Sequence, residues 1–281
     1  MTAWSDFRAR LSKPKWSQRA ALRSAAREAI RIVPFQLDRA GERRTAIGVI
    51  VLATDCTIEN ELRRLLSSNG VSLYHSRIEN SSQITPESLT DMEARITECV
   101  AALVPGSHLD VVAYGCTAAT VIMGETAIFD KIRVARPGVS CTSPVTAALA
   151  AFQWLGIARV ALLTPYRADL TRQVRSYICA RGVDVPVAAT FDEQDDNAVA
   201  RISEPSIFSA ALELGRSDNV DAVFISCTTL RASGLVAKLE GALKKPVTTS
   251  THALAWHCLR LAGIAANDPI LGRLFAGRAG V

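Results

Sequence analysis

Short apolar runs alternate along the chain with longer stretches in which apolar residues recur every three or four positions. The runs, bounded by polar residues, read as buried strands, and the longer-period stretches as amphipathic helices. The predicted strands are 47–53, 71–78, 110–114, 160–164, 183–190, 221–226 and 246–249, with a short strand or loop within 133–142. The predicted helices are 58–68, 86–104, one opening at 117, 144–155, 167–181, 206–215, 230–243 and 251–263. Local punctuation supports these limits. Glu59 and Glu61 sit in a first turn, Thr85-Pro86 opens a helix, and Gly70, Gly156 and Gly182 stand where helices stop. Strands alternating with helices specify an α/β fold with parallel sheets.

Within this pattern one unit occurs twice. D-V-V-A-Y-G-C-T, Asp110 to Thr117, and D-A-V-F-I-S-C-T, Asp221 to Thr228, share an aspartate, an apolar run, a small residue and Cys-Thr. The same 111-residue shift lays Val49–Asp55 on Val160–Tyr166, so Asp55 falls on Tyr166. A shift of 107 lays residues 142–156 on 249–263. Duplication predicts two similar doubly wound parallel-sheet domains related by pseudo-twofold symmetry, with the active site between them. The expected limits are a basic extension at 1–44, a first domain of 45–142 plus 251–281, and a second of 143–250. Cys116 and Cys227 then end equivalent strands, where open α/β sheets bind ligands.

Charge changes the picture only at one end. The net charge is +5, yet residues 1–44 carry eleven Lys/Arg against four Asp/Glu. The folded body is therefore slightly acidic, which argues against nucleic acid as a partner. Leu22, Ala26, Ile30 and Val33 predict a short amphipathic helix within 16–33 in a solvated arm. No apolar run is long enough to span a membrane, and residues 1–33 lack the continuous apolar core of a signal peptide. Seven cysteines without CxxC or Cys–His spacing argue against a disulfide framework or a structural zinc site. The expected setting is the reducing cytoplasm.

The paired cysteines suggest the chemistry. A thiol at a helix start is acidified by the free N–H groups there, and the same groups favour a small anionic substrate. Two thiols on opposite faces of one carbon can remove and return a proton without metal or cofactor. Thr54, Thr117, Tyr166 and Thr228 are the available donors for the developing charge. Cys99, Cys179 and Cys258 lie on apolar helix faces and read as core, while Arg231 is balanced between carboxylate binding and solvent. His252 is the one histidine placed near the cleft.

Four segments, Gly48–Glu59, Ala113–Thr117, Leu162–Tyr166 and Ser226–Arg231, resemble the aspartate/glutamate/hydantoin racemase superfamily. Within it the chain is similar to the maleate isomerase and arylmalonate decarboxylase group, and to a branch found in ectoine-utilisation gene clusters. The resemblance implies two similar domains, no cofactor, and commonly a homodimer. Cys116 and Cys227 match the family's two cysteines, and Tyr166 matches a substrate-contacting tyrosine. Asp55 falls where maleate isomerases have asparagine, which disfavours a dicarboxylate and leaves room for an amino group. Thr171 is a second departure from an expected asparagine. Arylmalonate decarboxylases keep only the second cysteine, so Cys116 argues against decarboxylation. The function expected is a racemase or epimerase acting on a small carboxylate or amino-acid derivative, with Cys116 and Cys227 as the acid/base pair; the resemblance to the ectoine-cluster branch implies a substrate from ectoine breakdown. The alternatives are a cis–trans isomerase working through a covalent cysteine adduct and a non-catalytic binder.

Overall fold

The computed structural model describes residues 33–37, 44–67 and 70–277. Residues 42–281 form one compact unit; of the preceding unit only 33–37 are described, and they have no regular secondary structure. The helix predicted within 16–33 therefore lies outside the described residues.

Two four-stranded parallel sheets carry the fold. The first is ordered β2-β1-β3-β4, from β1 (Ala46–Leu52), β2 (Ser72–Ile78), β3 (Val111–Tyr114) and β4 (Ser140–Thr142). The second is ordered β6-β5-β7-β8, from β5 (Arg159–Thr164), β6 (Asp184–Thr190), β7 (Ala222–Ile225) and β8 (Val247–Thr249). The identical strand order matches the predicted duplication. The helices are α1 (Ile58–Leu66), α2 (Pro86–Thr90), α3 (Ile96–Ala101), α4 (Thr117–Met123), α5 (Glu125–Ala135), α6 (Pro144–Leu155), α7 (Ala168–Cys179), α8 (Asp196–Val199), α9 (Glu204–Gly215), α10 (Val236–Leu243) and α11 (Ser250–Leu261). The central strands β1, β3 and β7 are buried along their whole length, as the unbroken apolar runs require.

The repeated aspartates have a structural task. Asp110 accepts the Ala46 N–H at 2.8 Å, and Asp221 accepts the Arg159 N–H at 2.8 Å. Each carboxylate fastens the start of one central strand to that of its neighbour. These contacts also expose a difference in register. Ile50 pairs with Tyr114, but Leu163, not Ala161, pairs with Ile225. Against β7, β5 has slid two residues relative to what a uniform 111-residue shift requires. Tyr166 is thus the spatial counterpart of Ala53, and Asp55 and Tyr166 are not twins. A two-residue slip leaves every side chain on its original face, so the hydrophobic pattern cannot register it.

Two predicted helices are broken. Residues 86–104 fold as α2, a 3-10 turn at Glu93–Arg95, and α3. The Thr90 hydroxyl donates back to the Pro86 carbonyl, a bond that competes with helix continuation. Residues 230–243 begin as a 3-10 turn at Ser233–Leu235 before α10. The buried Glu61 of α1 holds this turn, accepting the Ser233 N–H at 2.9 Å and its hydroxyl at 2.5 Å. Conversely, α5 is an additional helix between the one opening at Thr117 and β4.

The helices after β4 and β8 are exchanged between the sheets. Phe152 of α6 meets Phe224 of β7 edge-on at 5.6 Å, while α11 packs against α1, β3 and β4. Thr142 at the end of β4 bonds His257 of α11 at 2.7 Å. His252, for which a place by the cleft was expected, is in the core, between the Thr248 hydroxyl and the Leu271 carbonyl.

Candidate active site

Both Cys-Thr turns arrive at one pocket. Cys116, Thr117, Tyr166, Cys227 and Thr228 line it, together with Thr229, Asp196 and a wall from the 80–92 region that includes Asn80, Ile84 and Met92. The pocket is narrow, a cavity of about 20 Å³. Two loops close over it: the Ile84 N–H donates to the Gln194 carbonyl, and the Asp196 N–H to the Ser82 carbonyl, at 2.9 and 2.8 Å.

The two sulfurs differ in setting. Cys116 caps α4, and its sulfur accepts the Ala119 N–H at 3.4 Å. Its neighbour Gly115 has no space for a side chain, since a Cβ there would lie 2.8 Å from the Ile50 carbonyl oxygen. Cys227 does not cap an α-helix, because the chain after it is irregular until Ser233. Its φ is 155°, unusual for a residue with a side chain, and its N–H donates to Ser250 Oγ at 3.0 Å. Ser250 in turn bonds the Thr117 hydroxyl at 2.7 Å, and the Thr228 hydroxyl donates to the Gly115 carbonyl. These bonds cross-link the two turns.

Burial raises the pKa of both thiols. Cys227 is pushed up to about 12 by desolvation and then by the Asp196 carboxylate; the Thr229 N–H and the Tyr166 phenol act in the opposite direction. Cys116 is raised further by desolvation, and by Cys227, Asp196 and Asp55, against the helix-end N–H of Ala119. Tyr166 is itself held well above its ordinary value by burial, so its phenol stays protonated as a donor. Burial thus favours the neutral form of both thiols.

Thr54 and Asp55 lie behind the lining rather than on it. Asp55 Oδ1 accepts the Thr57 and Ile58 N–H groups at 2.7 and 2.9 Å, capping α1, while Oδ2 is buried without a donor. Thr54 donates its hydroxyl to Asp196 Oδ2 at 2.5 Å and accepts Asn80 Nδ2 at 2.8 Å. Asp196 was not among the residues picked out in the sequence. The only signal was the acidic loop 192–196, in which four residues are acidic and periodicity does not distinguish the buried one. Thr171 bonds Thr164 at 2.6 Å and shapes the Tyr166 turn. Arg231 is exposed and reaches the Ile202 carbonyl, outside the pocket. Cys258 is core, but Cys179, expected there too, is exposed, as is Cys56. Among the described residues no cluster of potential ligands could hold a metal ion, and no helix is long and apolar enough to cross a membrane.

Known proteins share this architecture. A maleate isomerase of Nocardia farcinica is 29% identical over 238 residues, covering 81% of this chain and 94% of its own. A solved structure of the Nocardia farcinica maleate cis-trans isomerase, a mutant with a covalently bound succinylcysteine intermediate, superposes with a TM-score of 0.76 at 26% identity, covering 83% of this chain and 98% of that one. The arylmalonate decarboxylase of Bordetella bronchiseptica is 28% identical over 140 residues, 49% of this chain and 58% of its own. The family model described as arylmalonate decarboxylase matches residues 47–275, and the chain belongs to that family.

Proposed function

We propose that the protein is a cofactor-independent cis–trans isomerase of a small, cis-unsaturated carboxylate, acting through a covalent cysteine adduct. One observation carries this reading: two buried, unequal thiols line a single closed pocket, one of them at a helix start. The likeness to maleate isomerases favours it over racemisation and over a role in ectoine breakdown. Cys116 is the nucleophile, because its sulfur has the α4 N–H group to stabilise a thiolate. It bonds to the alkene carbon β to the carboxylate, and the π electrons move to the α-carbon and carboxylate. The Cys116 proton passes by way of Cys227 to the α-carbon. The former double bond is now single and rotates. In the return step Cys227 takes up the α-proton as its own proton passes to the Cys116 sulfur, which the α-carbanion expels as the trans alkene forms. Nothing is oxidised or reduced. Tyr166 and the N–H groups of Thr117 and Ala118, which lack helical acceptors in the first turn, favour the negative charge on the way. The lobes taking part are 45–142 with 251–281 and 143–250, a division supported by the exchange of α6 and α11.

The test is proton NMR of cis-unsaturated carboxylates in deuterated buffer, with intact-mass analysis of the Cys227→Ser variant. Expected are conversion of cis to trans vinyl signals and a substrate-mass adduct on Cys116. Deuterium exchange at a saturated stereocentre, with no adduct and no cis–trans conversion, would replace this reading with proton-transfer racemisation.

A further inference from the structure

The charge around the pocket restricts what can fill it. Sixteen residues line it; Asp196 is the only charged one, and none is Lys, Arg or His. The hydrogen bonds behind Asp196 all run toward it. Asn80 Nδ2 donates to Thr54, and the Thr54 hydroxyl donates to Asp196 Oδ2. With its supporting hydrogens committed in that direction, the carboxylate presents itself to the pocket as an acceptor. A second acceptor stands beside it. Asp55 is 1% exposed, its Oδ2 has no donor in hydrogen-bond geometry because the nearby Thr228 hydroxyl is directed to the Gly115 carbonyl, and the Asp196 charge acts on it; Asp196 and Thr228 both line the pocket. Two buried carboxylates without a cation are a costly arrangement that a ligand donor would relieve. A ligand carboxylate at the same place would be repelled and would leave the acceptors unmatched.

We infer that the substrate is not a dicarboxylate: its end remote from the reacting carboxylate carries an N–H donor group, a primary amide or an ammonium, received by Asp196 with Asp55 behind it. This rests on the isomerase reading for what happens to the substrate, but not for how it is held. The expected substrate class is a small cis-enoic acid whose other end is an amide or amine, with one carboxylate left for the thiol end of the pocket.

Saturated ligands separate the two claims, because they bind without reacting. The measurement is calorimetric binding of succinate, succinamate and 4-aminobutanoate at mildly alkaline pH to the wild-type protein and to Asp196→Asn. The expected result is that a nitrogen-ended ligand binds the wild type roughly 100-fold tighter than succinate, the size of a like-charge mismatch. Asp196→Asn, checked for folding by its thermal melt, is expected to shrink that ratio to within about tenfold by tightening succinate. Succinate binding the wild type as tightly as both nitrogen-ended ligands overturns the inference, whatever the turnover results. A nitrogen preference together with no isomerisation of cis-4-amino-enoic or monoamide acids upholds the subsite and overturns the isomerase reading instead.

Discussion

The Thr228 hydroxyl donates to the Gly115 carbonyl at 3.1 Å, so the residue after one pocket-lining sulfur is tied to the residue before the other. The turns that carry the two cysteines are tied directly by a buried bond of their immediate neighbours, in addition to the link through Ser250. Thr228→Val keeps the shape and leaves the Gly115 carbonyl without that donor. The expected cost is about 1–3 kcal/mol of stability, read as a lower urea midpoint at unchanged slope. Adduct formation on Cys116 is expected to slow as well, because the spacing of the sulfurs relaxes.

The buried carboxyl groups make stability depend on pH in a direction opposite to acid denaturation. Asp55, Glu61 and Asp196 are all raised, with burial the largest cause in each. A raised folded-state pKa means the native state binds more protons than the unfolded chain between the two values. Stability from these groups is therefore full below the unfolded-state pKa and declines as pH rises through the folded-state one. The ligand-free protein is expected to lose urea resistance as pH rises out of the acidic range. Asp196→Asn is expected to flatten that decline and to be the more resistant protein at neutral pH. A wild-type midpoint that instead rises steadily over this range would contradict the assignment.

Thiol reactivity should separate surface from site. Cys56 and Cys179 are exposed, whereas Cys116 and Cys227 are buried with raised pKa values. Peptide mapping after timed treatment with iodoacetamide is expected to find Cys56 and Cys179 modified first at neutral pH. Labelling of Cys227 should climb about tenfold per pH unit toward its value near 12, as the thiolate fraction does. Early selective labelling of Cys116 or Cys227 in the ligand-free protein at neutral pH would mean that the resting site already holds a thiolate.

How much of this was legible in the sequence depends on the distance over which each feature is determined. The twin Cys-Thr turns are local: an apolar run, a small residue and a polar stop suffice to end a strand at a sheet's ligand edge. Asp110 and Asp221 were visible as part of the repeat, although their bonds to Ala46 and Arg159 give them a structural role. Asp196 was hidden because its position depends on pairing with Ser82, more than a hundred residues earlier. The helix expected after Cys227 failed for the same reason. Its apolar spacing is helical, but Glu61 holds Ser233 in a tighter turn from another part of the chain. The two-residue slide of β5 was invisible in principle, since alternation repeats every two residues.

The exchange of α6 and α11 bears on the history of the molecule as well as its shape. Each half, taken alone, would leave a sheet face bare of the helix that covers it, so a single ancestral unit could have been covered only by a second copy of itself. Fusion of two such copies would keep that dependence inside one chain. It would also free the halves to diverge, so that a sulfur capping a helix came to face one that does not, with Asp196 contributed by one side alone.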